Sequence, residues 1–120
     1  MNQGVEYLKS MGVDVDTAIT NMIDLETYNE MLDEFYNGIE EELAKIDNFK
    51  NQGDMPNYAI LVHAMKSNAR SFGFMKLGEI AYSHEMASKA GNINYVNEQY
   101  NVFLNAVKEV QDIITKYKSM

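Results

Sequence analysis

The sequence predicts an all-α protein, an antiparallel up-and-down four-helix bundle preceded by two short additional N-terminal helices. Apolar residues recur every three or four positions over long stretches, which is the period of a helix that is buried on one side. No stretch shows the sustained two-residue alternation that a half-buried strand needs. Proline occurs once, and glycines fall mostly at the expected helix ends, so the helices can run long without interruption.

The 120 residues are about one domain's worth of chain, and we predict a single domain spanning all of them. In this prediction residues 1–23 form a helical cap and residues 24–118 form the bundle. The first cap helix covers about residues 3–11. The second starts after Asp14 or Asp16, because either carboxylate can accept hydrogen bonds from the free N–H groups of a first helical turn.

The first bundle helix begins after Asp24 and ends near Gly53. Its apolar stripe advances by three or four residues at each step: Leu25, Tyr28, Leu32, Phe35, Ile39, Leu43, Ile46 and Phe49. Acidic residues fill most of its other positions, as on a solvated helix face. Gly38 lies within this helix at a cost of roughly 1 kcal/mol relative to alanine, and the sequence does not explain it.

Three further helices complete the predicted bundle. Asp54 caps the second, which runs to about Phe72, where Gly73 ends or kinks it. The third covers about residues 74–90, and the fourth about residues 94–117. Near-heptad apolar stripes favour shallow crossings, and short connections favour antiparallel neighbours.

The charge of the chain restricts its partners. There are 10 Lys and Arg against 18 Asp and Glu, a net charge of −8, which disfavours nucleic acid because its backbone is bound by clustered cations. Residues 1–56 hold 13 acids and 3 bases, whereas residues 57–120 hold 5 acids and 7 bases. No apolar run approaches the roughly 20 residues that span a bilayer, and no secretory signal is present. We expect no membrane partner and a cytoplasmic location.

The chain has no cysteine and only two histidines, His63 and His84. On helical wheels His63 faces outward and His84 faces the core, so the two cannot share a metal ion, and we predict no metal site. Buried polar groups normally find hydrogen-bond partners, so His84 is predicted to be a half-buried, hydrogen-bonded residue. A metal-bundle enzyme is the weakest alternative, because the inward stripes are almost wholly apolar.

The outer face around His63 contains no acid among its nearest neighbours on the wheel, which predicts positive potential there. These neighbours are Ala59, Ile60, Lys66, Ser67 and Arg70. An exposed imidazole near neutral pH has a free lone pair and can attack phosphorus, and cations one and two turns further on could stabilise a phosphoryl group. Ala59, Ala64 and Ser67 are small enough for another protein to approach, and Ile60 offers it an apolar contact. The same pattern is compatible with a chance surface histidine beside two chance cations.

The segment from His63 to Leu77 resembles the signature of histidine phosphotransfer (HPt) domains. That signature has a histidine, an apolar residue two positions later, lysine three later, glycine ten later and leucine fourteen later. In this chain the positions are His63, Met65, Lys66, Gly73 and Leu77. Two positions differ, since Ser67 stands where most members have glycine and Asn68 stands where serine is frequent.

The resemblance covers most of the chain and implies a four-helix bundle that relays phosphate in two-component signal transduction. It implies that His63 accepts a phosphoryl group from a receiver-domain aspartate and that Lys66 is the phosphate-stabilising cation. Gly73 would shape the end of its helix, and Leu77 would belong to the core. A phosphate-stabilising role for Arg70 rests on geometry alone.

The implied partners are a response-regulator receiver domain, a hybrid sensor histidine kinase, or both, binding to a monomer. The receiver would dock over Ala59, Ile60, His63, Ala64 and Ser67. It would also supply Mg²⁺, so no cofactor of the chain's own is expected. Neither a Gly-rich phosphate loop nor an ATP-binding domain is present, which predicts a phosphocarrier and not an enzyme. The alternative is a non-phosphorylated helical adaptor that binds a receiver or another signalling protein.

Overall fold

The computed structural model describes residues 2–120, and every regular element in that range is a helix. The six helices are α1 (Gln3–Ser10), α2 (Val15–Asn21), α3 (Leu25–Asn51), α4 (Met55–Ser71), α5 (Met75–Lys89) and α6 (Ile93–Lys118). The all-α prediction is confirmed, and the predicted helix ends agree with the structure to within one or two residues.

Short polar side chains start five of the six helices. Asn2, Asp14, Asp24, Asp54 and Asn92 each accept a hydrogen bond from the backbone N–H three residues later, which satisfies one of the donors that a first turn leaves free. Of the two candidates for α2, the structure therefore uses the aspartate at position 14. The start of α5, at Phe74, has no such side-chain cap.

Three-residue connections join the four long helices, so consecutive helices run antiparallel. The glycine in each connection has a positive φ angle, and Gly73 has the largest, +89°. Gly73 ends α4 and does not kink it. A Cβ at Gly73 would lie 2.6 Å from the carbonyl oxygen of Asp14, and the N–H of Asp14 donates to the Gly73 carbonyl at 3.0 Å. This close contact fixes the N-terminal cap against the α4–α5 turn.

The core runs along the inside of the bundle and is closed at one end by the cap helices. Its largest fully buried side chains include Tyr28 and Leu32 of α3, Tyr58 of α4 and Phe103 of α6. The hydroxyl of Tyr28 donates to the carbonyl of Phe72 at 2.9 Å. Of all the helix pairs, α4 and α5 pack together most extensively. None of the helices in residues 2–120 is both long and apolar enough to cross a membrane.

Candidate functional site

His63 projects from the middle of α4, and 55% of its side-chain surface is exposed. Its Nδ1 atom lies 2.7 Å from Oε2 of Glu85, on α5. The imidazole is therefore open to solvent on one side and held by a neighbouring helix on the other.

Glu85 is only 2% exposed, and three side chains bind its two oxygens. Lys66 Nζ lies 2.6 Å from Oε1, while Lys89 Nζ and His63 Nδ1 share Oε2 at 2.8 and 2.7 Å. Burial by itself would raise the pKa of Glu85, but the hydrogen bonds from Lys66, Lys89 and His63 outweigh it and lower the pKa to about 2. The group is therefore a carboxylate at neutral pH.

This carboxylate determines which nitrogen of His63 is available. A carboxylate only accepts hydrogen bonds, so Nδ1 of His63 must carry the proton and donate it to Glu85. In the neutral ring the lone pair then resides on Nε2. A nucleophile whose second nitrogen is fixed by an acceptor is a recurrent arrangement in group-transfer sites.

The two cations predicted for this site lie in different surroundings. Lys66 is only 14% exposed, and its ammonium group lies 5.5 Å from the ring of Tyr82. Arg70 extends over Gly78 on α5, where a Cβ would lie 2.8 Å from the arginine Cγ, and its guanidinium contacts Glu79 at 3.5 Å. Arg70 is also about 10 Å further along the helix axis than His63. Lys66 thus belongs to the His63–Glu85 cluster, whereas Arg70 is engaged elsewhere on α5.

The predicted docking residues do not all share one exposed surface. Ile60 and Ser67 are exposed, and Ala64 is half-buried. Ala59 was predicted to lie on the outer face, but it is only 5% exposed, because α5 packs against that side of α4. It contributes instead to the floor of a groove of about 480 Å³ between α4 and α5, which also contains Ile60, His63 and Lys89.

Two residues of the cluster, Glu85 and Lys89, were not predicted from the sequence. The wheel of α4 shows no acid near His63, because the acid that contacts it belongs to the neighbouring helix α5. Two lysines bind that acid, so the cations still outnumber it. Two signals were present in the sequence: an acid among the small, inward residues of α5, and a lysine four positions after it, where i,i+4 pairs form. Neither signal shows which residue of α4 lies opposite.

The remaining predicted residues, Leu77, Gly73 and His84, lie in the core or in a turn. Leu77 is buried in the core, and Gly73 forms the α4–α5 turn. His84 is almost fully buried, and its Nε2 lies 3.1 Å from the carbonyl of Gln99, which can only accept, so Nε2–H donates. Its Nδ1 therefore accepts from the hydroxyl of Tyr58 at 2.8 Å. Both nitrogens of His84 are thus occupied, and burial lowers its pKa.

Within residues 2–120, no group of three or more His, Asp or Glu side chains is arranged to hold a metal ion. The fold and the cluster define a class of protein: a helical bundle with one exposed histidine that is oriented through Nδ1 and open at Nε2. The family model of the Hpt domain matches residues 30–113, which is more than half of the chain. The chain belongs to the Hpt domain family, whose members act in phosphotransfer in two-component signalling. No curated protein and no solved structure matches the chain.

Proposed function

We propose that this protein accepts a phosphoryl group on His63 from the aspartate of a receiver domain and relays it in two-component signal transduction. The observation that carries the proposal is the hydrogen bond between His63 Nδ1 and the ionised Glu85, which leaves a lone pair on an exposed Nε2. His84 offers no such lone pair, because both of its nitrogens are engaged in the core.

In the proposed step, Nε2 of His63 attacks the phosphorus of the aspartyl phosphate in line with the acyl oxygen. The N–P bond forms as the O–P bond breaks, and the aspartate leaves as a free carboxylate. Passing the group to a second receiver reverses the step. The receiver supplies the Mg²⁺, and the chain itself acts as a carrier without a cofactor or an ATP-driven kinase activity.

The cluster also supports the phosphorylated state. A phosphoryl group on Nε2 places new negative charge near Glu85, and Lys66 and Lys89 offset that charge. Lys66 is held in place by packing, whereas Lys89 is 58% exposed and shares Oε2 with the imidazole. We therefore propose Lys89 beside Lys66 as a phosphate-stabilising cation, and give Arg70 at most a secondary part because it is bound at Glu79.

The partners in this proposal are a receiver domain, a hybrid sensor histidine kinase, or both, in the cytoplasm and with the chain as a monomer. The receiver covers the exposed Ile60, His63 and Ser67 and the half-buried Ala64 between them. Ala59 lies in the floor of the adjoining groove and leaves room for a partner side chain above it.

Phosphotransfer from an isolated receiver tests the proposal directly. Incubation with a receiver domain phosphorylated on its aspartate is expected to give an acid-labile, alkali-stable phosphate on the wild-type chain and none on His63→Gln. Screening all receivers of the source organism identifies the partner. If no receiver transfers phosphate but one binds wild type and His63→Gln equally, the protein is a non-phosphorylated adaptor and the proposal fails.

The orienting role of Glu85 has a separate readout. Nitrogen NMR of His63 in the wild type is expected to show mainly the tautomer with hydrogen on Nδ1. In Glu85→Gln, both tautomers are expected, and the transfer rate should fall by about tenfold. An unchanged tautomer in the variant would remove Glu85 from this role while leaving phosphotransfer on His63 intact.

A further inference from the structure

A second groove lies on the other side of α4, between α3 and α4. It has a volume of about 310 Å³, and its lining includes Phe35 and Gly38 of α3 and Leu61 and Ala64 of α4. Its floor is apolar, and no side chain of residues 2–120 fills it.

Gly38 keeps this groove open. It is placed well inside the 27-residue helix α3, where glycine weakens a helix relative to alanine. Its φ angle is negative, and a Cβ added there would meet nothing within 4 Å. Neither the backbone nor the packing of this chain therefore requires glycine at position 38. Because residue 38 has no side chain, the shallow apolar groove extends across the surface of α3 at this position.

The rim of the groove is acidic. Glu34 and Glu42, one turn before and one turn after Gly38, both line it. Glu42 Oε1 lies 3.6 Å from Lys45 Nζ in an exposed pair, and no ion pair of Glu34 occurs within residues 2–120. An apolar floor between two carboxylates is complementary to a side chain with an aliphatic stem and a positive end.

Resting on the proposed function, we propose that the α3–α4 groove receives a lysine or arginine side chain of the docked receiver domain. The aliphatic stem lies over Gly38, and the charged end meets Glu34 and Glu42. The groove adjoins the exposed surface around His63, because Ala64 lines the groove and directly follows His63 in the sequence. A receiver that brings its aspartate to Nε2 of His63 therefore has its periphery above this groove, where the contact contributes to the choice of partner.

Substitutions at Gly38 that fill the groove test receiver docking separately from the phosphorylation of His63. Gly38→Leu is expected to weaken binding of the cognate receiver by about tenfold or more, because a leucine side chain occupies the groove. Phosphotransfer from that receiver should slow as well. Gly38→Ala, with a single added methyl group, should change binding by less than about threefold. Labelling of His63 by phosphoramidate, a small donor that needs no docking surface, should be unchanged in both variants. Circular dichroism and urea denaturation check that both variants fold.

Charge reversal at the rim provides an independent test with a matched control. Glu42 and Glu41 both contact Lys45, at 3.6 and 3.8 Å, but only Glu42 lines the groove. Glu42→Lys is expected to weaken receiver binding by about tenfold at low salt, and the difference should shrink as ionic strength rises. Glu41→Lys should bind the receiver as the wild type does.

The results that overturn this inference differ from those that overturn the proposed function. Normal receiver binding by both Gly38→Leu and Glu42→Lys, with normal phosphate on His63, rejects the groove contact and leaves phosphotransfer standing. Concentration-dependent self-association of the wild type that disappears in Gly38→Leu would assign the groove to a second copy of the chain. That result also rejects the proposed contact with the receiver. Failure of phosphoramidate and of every receiver to label His63 rejects the function itself.

Discussion

At the scale of single residues, one buried carboxylate organises the candidate site. Glu85 contacts His63, Lys66 and Lys89 at once, so it orients the imidazole and sets the positions of two cations. A buried carboxylate is expensive unless it is paired and hydrogen-bonded. The two lysines that bind Glu85 therefore differ in what they contribute: the less exposed one mainly holds the cluster together, and the more exposed one can respond to new charge.

This difference predicts unequal stability losses in Lys66→Ala and Lys89→Ala. Lys66→Ala removes a nearly buried partner of a buried carboxylate, and should lower the free energy of unfolding by about 1–3 kcal/mol. Lys89→Ala removes a largely exposed i,i+4 pair, and should lower it by about 0.3–0.5 kcal/mol. Urea denaturation at pH 7 measures both values, provided that the m-value stays constant.

The two variants are matched, since each removes one lysine from the same carboxylate. Equal losses would mean that the two ammonium groups have equivalent environments, contrary to their burial. The phosphorylated forms add a second comparison: hydrolysis of the phosphohistidine should be accelerated in Lys89→Ala if the exposed ammonium group contacts the phosphoryl group.

The sequence predicted that His63 is exposed but not what surrounds it. His63 could be singled out because exposure follows from the position of a residue on its own helix, and the spacing to Lys66 and Gly73 lies within one segment. Glu85 was missed because its contact with His63 crosses from α5 to α4, and a wheel describes only one helix. Ala59 was misplaced for the same reason, since the packing of α5 against α4 buries a position that the wheel leaves outside.

At the scale of elements, local chemistry accounts for most helix ends. Asp24 and Asp54 were predicted as caps from side chains that satisfy free N–H groups, and Gly73 was predicted to end or kink its helix. Ile23, just beyond α2, does not follow this pattern. It has a φ angle of +79°, a left-handed conformation that a β-branched side chain rarely adopts. Nothing in the sequence indicates this conformation, because the short connection between α2 and α3 imposes it.

Relieving this strain should stabilise the protein. The side chain of Ile23 is 87% exposed, so replacing it loses little burial, and asparagine tolerates the left-handed region far better. Ile23→Asn is expected to raise the free energy of unfolding by about 1 kcal/mol, as measured by urea denaturation. Ile23→Val keeps the branched side chain and should stay within about 0.5 kcal/mol of the wild type. A less stable Ile23→Asn would show that the isoleucine side chain makes a contribution that outweighs the strain.

At the scale of the whole molecule, the placement of charge matters more than its total. The net charge of −8 disfavours nucleic acid but describes no particular surface. The acids are concentrated on the cap and α3, and two of them line the α3–α4 groove. The cluster on α4 and α5 places two lysines around one carboxylate, so His63 stands at the boundary between an acidic surface and a mildly basic one. A partner that covers both grooves would meet opposite charges on the two sides of the same histidine.

Two buried groups that titrate below neutral pH, His84 and Glu85, make the stability of the molecule sensitive to acid in two separate pH ranges. Burial lowers the pKa of His84 below its ordinary value of 6.5, so as the pH falls through 6.5 the unfolded chain binds a proton before the folded chain does. Stability then decreases, by up to about 1.4 kcal/mol per pH unit for one proton. The pKa of Glu85 is lowered from 4.5 to about 2. The stabilisation of the folded protein by ionised Glu85 is therefore complete above about pH 4.5 and is lost only as the pH falls toward 2.

Urea denaturation from pH 7.5 to pH 5 isolates the contribution of His84, because Glu85 stays ionised in the folded protein throughout that range. Between pH 6.5 and 5 the wild type is expected to lose more stability than His84→Gln, which cannot bind the proton at this position. The comparison depends on the slope and not on the absolute stability, so it holds even if the loss of the Tyr58 and Gln99 hydrogen bonds destabilises the variant at every pH. The other titratable groups are common to both proteins, so their contributions cancel when the two slopes are subtracted. Parallel curves would mean that His84 takes up its proton equally well in the folded and unfolded chains, contrary to its burial and to the occupation of both its nitrogens.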